Sequence, residues 1–118
     1  MTEFDFLNEL TSKTNSSLLL DLNNLWVNSK NLNTNIEEEL KKLDWNNVKE
    51  VHLAGPELKD GFFVDTHGSS IHSEVLNLLK DHKQKIKNIP IIYERDNNII
   101  SLENLIHELD TVKETLNE

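Results

Sequence analysis

Four short apolar runs in this chain each stop at, or just beyond, a residue able to ligate a metal. The run from Ser17 to Leu22 carries Asp21, with Asn24 three residues on. Val48 to Leu53 carries His52 one residue before its end, and Phe62 to Asp65 ends on Asp65, with His67 two residues on. Ile89 to Glu94 ends on Glu94, with Asp96 two residues on. Carboxylates and imidazoles without sulfur suit iron, manganese or zinc, and fit all-oxygen calcium or magnesium sites less well. Asp65 and His67, at i and i+2 where a strand runs into a turn, can both face one ion. Asp21 and Asn24 straddle a strand end and can serve two neighbouring ions.

Each residue alone has a plainer reading. An Asp or Asn after a strand is usually a turn former or helix cap, and a single His52 is more often a hydrogen-bonded core or surface histidine. The recurrence of ligand-type residues at the same edge of all four runs is what points to a metal site. His72, His82 and His107 fall at polar positions of helices and are read as surface residues. Trp26 and Trp45 are read as core or rim packing rather than substrate-facing aromatics. No P-loop, GxGxxG, nucleophile-elbow or HExxH pattern occurs.

The elements that must position these residues alternate. Phe6, Leu7 and Leu10 have helical spacing behind a Thr2 cap, and Ser17 to Leu22 reads as a strand buried on both faces. Residues 23–35 read as a polar loop with an exposed Trp26. Asn35 and Glu38 form a capping-box pattern that opens a helix with Ile36, Leu40 and Leu43 inward. Val48–Leu53 and Phe62–Asp65 are read as the second and third strands. Ser70 then caps a long helix with Ile71, Val75, Leu78, Leu79 and Ile86 inward. The fourth strand, Ile89–Glu94, precedes a Ser101-capped helix whose stripe runs Leu102, Leu105, Ile106, Leu109, Val112 and Leu116. Strands alternating with helices predict an α/β fold with about four parallel strands, whose C-terminal edge is where sites assemble.

At 118 residues the chain makes one domain, spanning 1–118, and is too short for an eight-fold α/β barrel of about 250 residues. It has 12 Lys+Arg against 21 Asp+Glu, a formal net charge of −9, which works against nucleic-acid binding through phosphates. The absence of cysteine excludes disulfides, thiolate metal sites and a thiol nucleophile within this chain. No apolar run is long enough to span a bilayer and the acidic start lacks a signal peptide's basic region, so the expected location is the cytoplasm, with no membrane partner.

Leu18-Leu19-Leu20-Asp21-Leu22-Asn23-Asn24, Val51-His52-Leu53-Ala54-Gly55, Val64-Asp65-Thr66-His67-Gly68 and Tyr93-Glu94-Arg95-Asp96 occur in that order. Together they resemble the multinuclear non-haem iron oxidases typified by the methanobactin-biosynthesis B protein and the thiaglutamate-pathway H protein, long catalogued as a domain of unknown function. The resemblance runs from about Phe4 to Leu116 and corresponds to the C-terminal half of a xylose-isomerase-like TIM barrel. It implies two or three irons, with manganese or zinc as alternatives. Asp21, His52 and Glu94 would ligate a central ion, and Asn24, Asp65 and His67 a neighbouring one. Asp96 falls where the family carries an acidic residue near the site, as a catalytic base or as support for a ligand. The remaining ligands, two histidines and a glutamate, come from the N-terminal half in that family. One departure is Pro56 after His-Leu-Ala-Gly, where histidine or an aromatic residue is common.

The implied activity is dioxygen-dependent oxidation of cysteine residues in ribosomally made peptides, assisted by a small partner protein that presents the precursor peptide. Half a barrel has open edges, so a separately encoded N-terminal half or a homo-oligomer is the expected partner, without which the chain would be inactive. A split-gene half, a truncated frame and an excised fragment remain open as its origin. The alternative is a non-catalytic truncated or degenerate domain that at most binds metal or a partner protein.

Overall fold

The Thr2 hydroxyl accepts from the Asp5 amide, and the Asp5 carboxylate accepts from the Thr2 amide at 3.0 Å, so the chain opens on a capping box. The computed structural model describes residues 1–118. Helix α1, Glu3–Thr14, buries Phe4 and Thr11 and ends at Asn15 in the left-handed conformation (φ 54°). Phe6 and Leu10 face outward. Strand β1, Leu18–Asp21, runs directly into helix α2, Leu22–Leu32, because Asp21 caps that helix by accepting from the Asn24 amide.

Helix α2 occupies most of the expected polar loop at 23–35. Asparagine is a poor helix former in isolation, but Leu22 and Trp26 fall one turn apart and are both buried, and Val27 and Ser29 are buried with them. Packing therefore overrides propensity, and Trp26 is a core residue rather than an exposed one. Helix α3, Ile36–Lys42, starts at the expected Asn35 cap, whose side chain accepts from the Glu37 and Glu38 amides.

A 3-10 turn, Trp45–Asn47, leads into strand β2, Val48–Leu53. Strands β3, Glu57–Lys59, and β4, Phe62–Val64, form an antiparallel hairpin. The parallel sheet therefore has three strands, ordered β1-β2-β5, with β5 spanning Ile91–Tyr93, and Phe62–Val64 lies outside it. The reason is local. Asp60 and Gly61 both adopt positive φ (50° and 84°), the two-residue turn that folds a strand straight back on its predecessor. Asn31 of α2 then pins the hairpin, accepting from the Phe63 amide at 3.0 Å and donating to its carbonyl at 2.8 Å.

The long helix expected from Ser70 begins instead at Ser73. His72 is its cap, with ring Nδ1 accepting from the Glu74 amide, and the helix divides at His82 into α4, Ser73–Asp81, and α5, Lys83–Ile86. Helix α6, Leu102–Asn117, starts at the expected Ser101 cap but buries only Val112 and Thr115. Leu102, Ile106 and Leu109 of its expected inward stripe are exposed. No helix is long and apolar enough to cross a membrane.

The fold is α/β, a parallel three-stranded sheet with flanking helices, consistent with part of a barrel. Leu20, Val51 and Leu53 face the helices and join Trp26, Leu40, Val75, Leu79 and Ile86 in one core. The opposite, inner face shows Leu19 and Ile92 at 51% and 43% exposure, with Glu50 and His52 between them.

Candidate metal centre

Parallel register sets Asp21 beside His52 and His52 beside Ile92, in one row across the inner face. Successive strand residues alternate faces, so Glu94, two residues past Ile92, returns to that same side. Its amide donates to the Leu53 carbonyl at 2.8 Å, extending the ladder by one step.

Asp65 and His67 arrive from the hairpin rather than from the sheet, on a loop held from two sides. The Asp96 amide donates to the His67 carbonyl at 2.9 Å, Asn97 Nδ2 to the Thr66 carbonyl at 2.6 Å, and Asn98 Nδ2 to the Gly68 carbonyl at 3.1 Å. From beneath, the Ser69 backbone passes so close to Gly55 that a Cβ there would lie 1.8 Å from the Ser69 oxygen. The loop also holds His67 at φ 56°, a region that costs a residue with a side chain about 1–3 kcal/mol.

The seven residues singled out in the sequence form one connected cluster. Ligand atoms of Asp21, Asp65 and His67 all lie within 4.8 Å of one another. Asn24 Nδ2 reaches Asp65 Oδ2 at 3.3 Å. His52 and Glu94 stand to one side, His52 Nδ1 facing Glu94 Oε1 at 3.1 Å, while Glu94 Oε2 lies 3.6 Å from His67 Nδ1. Asp96 joins through a 2.8 Å contact between its Oδ2 and His67 Nδ1, and is otherwise largely exposed.

Two further residues belong to the cluster. Asn23, fully buried, donates to Asp65 Oδ1, and Glu50 contacts His52 Nε2. Glu50 was findable, because strand alternation puts it on His52's face. Asn23 has no strand-alternation signal, and asparagine's low helix propensity hides the helix that buries it.

Negative charge is in excess. Asp21, Glu50, Asp65, Glu94 and Asp96 surround two histidines, and no lysine or arginine pairs with any of these carboxylates. Arg95 points into its own loop, donating to the Asn97 and Asn98 carbonyls. Burial pushes the Asp21 carboxyl above the usual carboxylate range, and the nearby Asp65 and Glu94 push the same way, against the Asn24 amide and His67. Burial works to lower the His67 pKa, yet Asp96, Asp65 and Glu94 together raise it above the ordinary histidine value.

One detail tests whether a cation fits. His67 Nε2 is buried and has no hydrogen-bond partner, although it stands 3.0 Å from Asp65 Oδ1. The two atoms stand at contact distance without a hydrogen bond between them, and ligand atoms of Asp21, Asp65 and His67 all lie within 4.8 Å of one another. A metal ion there would satisfy the orphaned nitrogen and offset the carboxylate charge. The oxygen-and-imidazole donor set suits a first-row divalent ion.

Comparison with known proteins places this geometry in context. Residues 1–117 match the family model described as RiPP precursor modification enzyme MbnB/TglH/ChrH. A UPF0276 protein of Shewanella sediminis is 36% identical over 115 residues, covering 97% of this chain and 41% of the relative. One from Chromobacterium violaceum is 38% identical over 105 residues, 89% of this chain and 38% of the relative. One from Acaryochloris marina is 36% identical over 108 residues, 92% of this chain and 39% of the relative. The chain thus spans about two-fifths of the length of these relatives.

Proposed function

From the premise that this chain belongs to the MbnB/TglH/ChrH family of RiPP precursor modification enzymes, we propose that it is the metal-binding C-terminal part of an iron-dependent oxidase acting on cysteine residues of ribosomally made peptides. In this reading residues 1–118 form a single domain, the C-terminal half of a xylose-isomerase-like barrel. The observation that carries it is the convergence of Asp21, Asp65 and His67 ligand atoms within 4.8 Å, beside an orphaned His67 Nε2.

Bound iron, of two or three ions in a complete barrel, would supply dioxygen-dependent oxidation of a thiol. This chain's residues hold and orient. Asp65, His67 and Asp21 would hold the ion, their ligand atoms lying within 4.8 Å of one another. Asn23 and Asn24 brace the two Asp65 oxygens from α2. His52 and Glu94 form the adjoining pair. Asp96 Oδ2 holds the proton on His67 Nδ1, which leaves Nε2 bare for an ion. Asp96 therefore positions His67 rather than touching reacting atoms, and a carboxylate in that place also makes the ring a better donor.

The expected setting is the cytoplasm. The expected partners are a separately encoded N-terminal half-barrel or a second copy, a small peptide-presenting protein and the precursor peptide. A second reading, a metal- or partner-binding module without catalysis, is favoured by the openness of the inner face. Leu19 and Ile92 are about half exposed there, whereas oxidative chemistry gains from excluding water. Co-expression with the N-terminal portion of the Shewanella sediminis relative, a cysteine-bearing precursor peptide and iron separates the two. The oxidase reading expects a mass change at cysteine that Asp65→Ala abolishes. Failure of the two portions to associate, or an unchanged peptide mass with both iron-loaded, would leave the binding module.

A further inference from the structure

Glu50 stands two residues before His52 on β2, so both side chains leave the strand on the inner face. Their neighbours across the sheet are mixed: Leu19 pairs with Glu50, while Asp21 and Ile92 flank His52. Glu50, set beside Leu19, has one ionic partner, the His52 ring. Glu50 Oε1 contacts Nε2, and the opposite ring nitrogen, Nδ1, faces Glu94 Oε1 at 3.1 Å. His52's side chain is 14% exposed, so its ring is held between the two glutamates with little freedom to turn.

His67 is gripped in the reverse sense. Its Nδ1 is on Asp96 at 2.8 Å, and its Nε2 is bare toward Asp65. A neutral imidazole has one N–H and one free nitrogen, and the hydrogen bond at one decides which atom remains for a metal. The two rings thus present opposite nitrogens to one cluster, each set by a carboxylate on its far side.

We propose that Glu50 is a positioning residue for metal binding: it accepts the Nε2–H of His52, fixes the tautomer whose Nδ1 is free, and so turns His52 and Glu94 together toward one ion. This inference rests on reading the inner face as a metal site. It adds to that site a residue that contacts no ion and that lies outside the ligand motifs.

The test uses zinc(II) alone, a diamagnetic probe, on the whole chain labelled with nitrogen-15. Long-range nitrogen–proton spectra of histidine report which ring nitrogen carries the proton and which is bound to metal. In the wild type, His52 should keep Nε2–H while its Nδ1 resonance shifts on zinc addition. Calorimetric titration of Glu50→Ala should show affinity weakened by about 10–100-fold, with the His52 signature altered. Glu50→Gln keeps an acceptor oxygen and should recover most of the affinity and the Nε2–H signal. An unshifted His52 Nδ1 while His67 Nε2 shifts would overturn this inference and leave the metal site standing, as would full affinity in Glu50→Ala. Equal loss in the Gln and Ala variants would overturn the hydrogen-bond role. No zinc binding by the wild type would overturn the metal site itself, and this inference with it. The wild-type spectrum decides the tautomer whether or not either variant folds.

Discussion

The two faces of β2 differ although their residues alternate along one strand. Val51 and Leu53 are fully buried against the helices, whereas Glu50 and His52 stand on an inner face bordered by half-exposed Leu19 and Ile92. The outer face is built for burial, worth about 25 cal/mol per Å² of apolar surface removed from water. The inner face and its rim collect carboxylates paired only with two histidines, so a cation there would offset their charge. Stability and chemistry are therefore separable in this molecule, and substitutions can move one without the other.

The largest effect should come from the outer face. Leu53→Ala removes a fully buried side chain and should lower unfolding free energy by about 2–5 kcal/mol in urea denaturation. A loss no greater than that of an inner-face substitution would break the contrast. Gly55→Ala joins the two regions, because its Cβ would meet the Ser69 oxygen at 1.8 Å. Overpacking of this kind costs about 1–3 kcal/mol, and the displaced 65–70 loop should cost metal uptake as well. A variant that binds metal normally would show that Gly55 does not hold that loop.

The pH dependence of the metal-free chain sharpens the comparison. Asp21 has a raised pKa in the folded state, so the native chain keeps a proton that the unfolded chain releases. Its contribution is full below the ordinary aspartate value and is lost as pH rises through the folded one. His67, also raised, adds stability present below the ordinary histidine value and lost as pH rises through its folded value. Glu74, whose pKa is lowered by Lys30 and Trp26, runs the other way, so the readout is a difference between variants. Asp21→Asn retains a helix-capping oxygen and should become more stable relative to wild type as pH rises from acid to neutral. A pH-independent difference would contradict the buried-carboxylate account. The smallest effect is expected at Ile92→Thr, within about 0.5 kcal/mol in thermal or urea unfolding, because the side chain is 43% exposed.

The sequence-level reading succeeded where local chemistry and tertiary packing agree. The Thr2, Asn35 and Ser101 caps stand where hydroxyl or amide residues precede apolar periodicity, and three of the four apolar runs became parallel strands. All seven singled-out residues lie in one cluster, because strand ends and their following turns converge by topology. The misreadings have separate causes. In α2, asparagine's low helix propensity concealed the spacing of Leu22, Leu25, Trp26 and Ser29 along one helix face. Asparagine also serves the backbone here, taking left-handed conformations at Asn15, Asn33 and Asn98 that glycine more often supplies. Phe62–Val64 is a strand as its residues suggest, but the Asp60-Gly61 turn signal pairs it antiparallel with β3 and keeps it out of the parallel sheet. At α6, apolar periodicity predicts a helix but not a partner, and the stripe outruns the surface that α4 offers it.

The most direct test of the central claim is metal stoichiometry. The chain would be purified anaerobically from iron-supplemented cells and analysed for metal content beside His67→Ala. The account predicts about one or more irons per chain, lost in the variant while it still unfolds cooperatively, because His67 lies on the inner rim and outside the buried core. No metal in either protein, or equal metal in both, would contradict it.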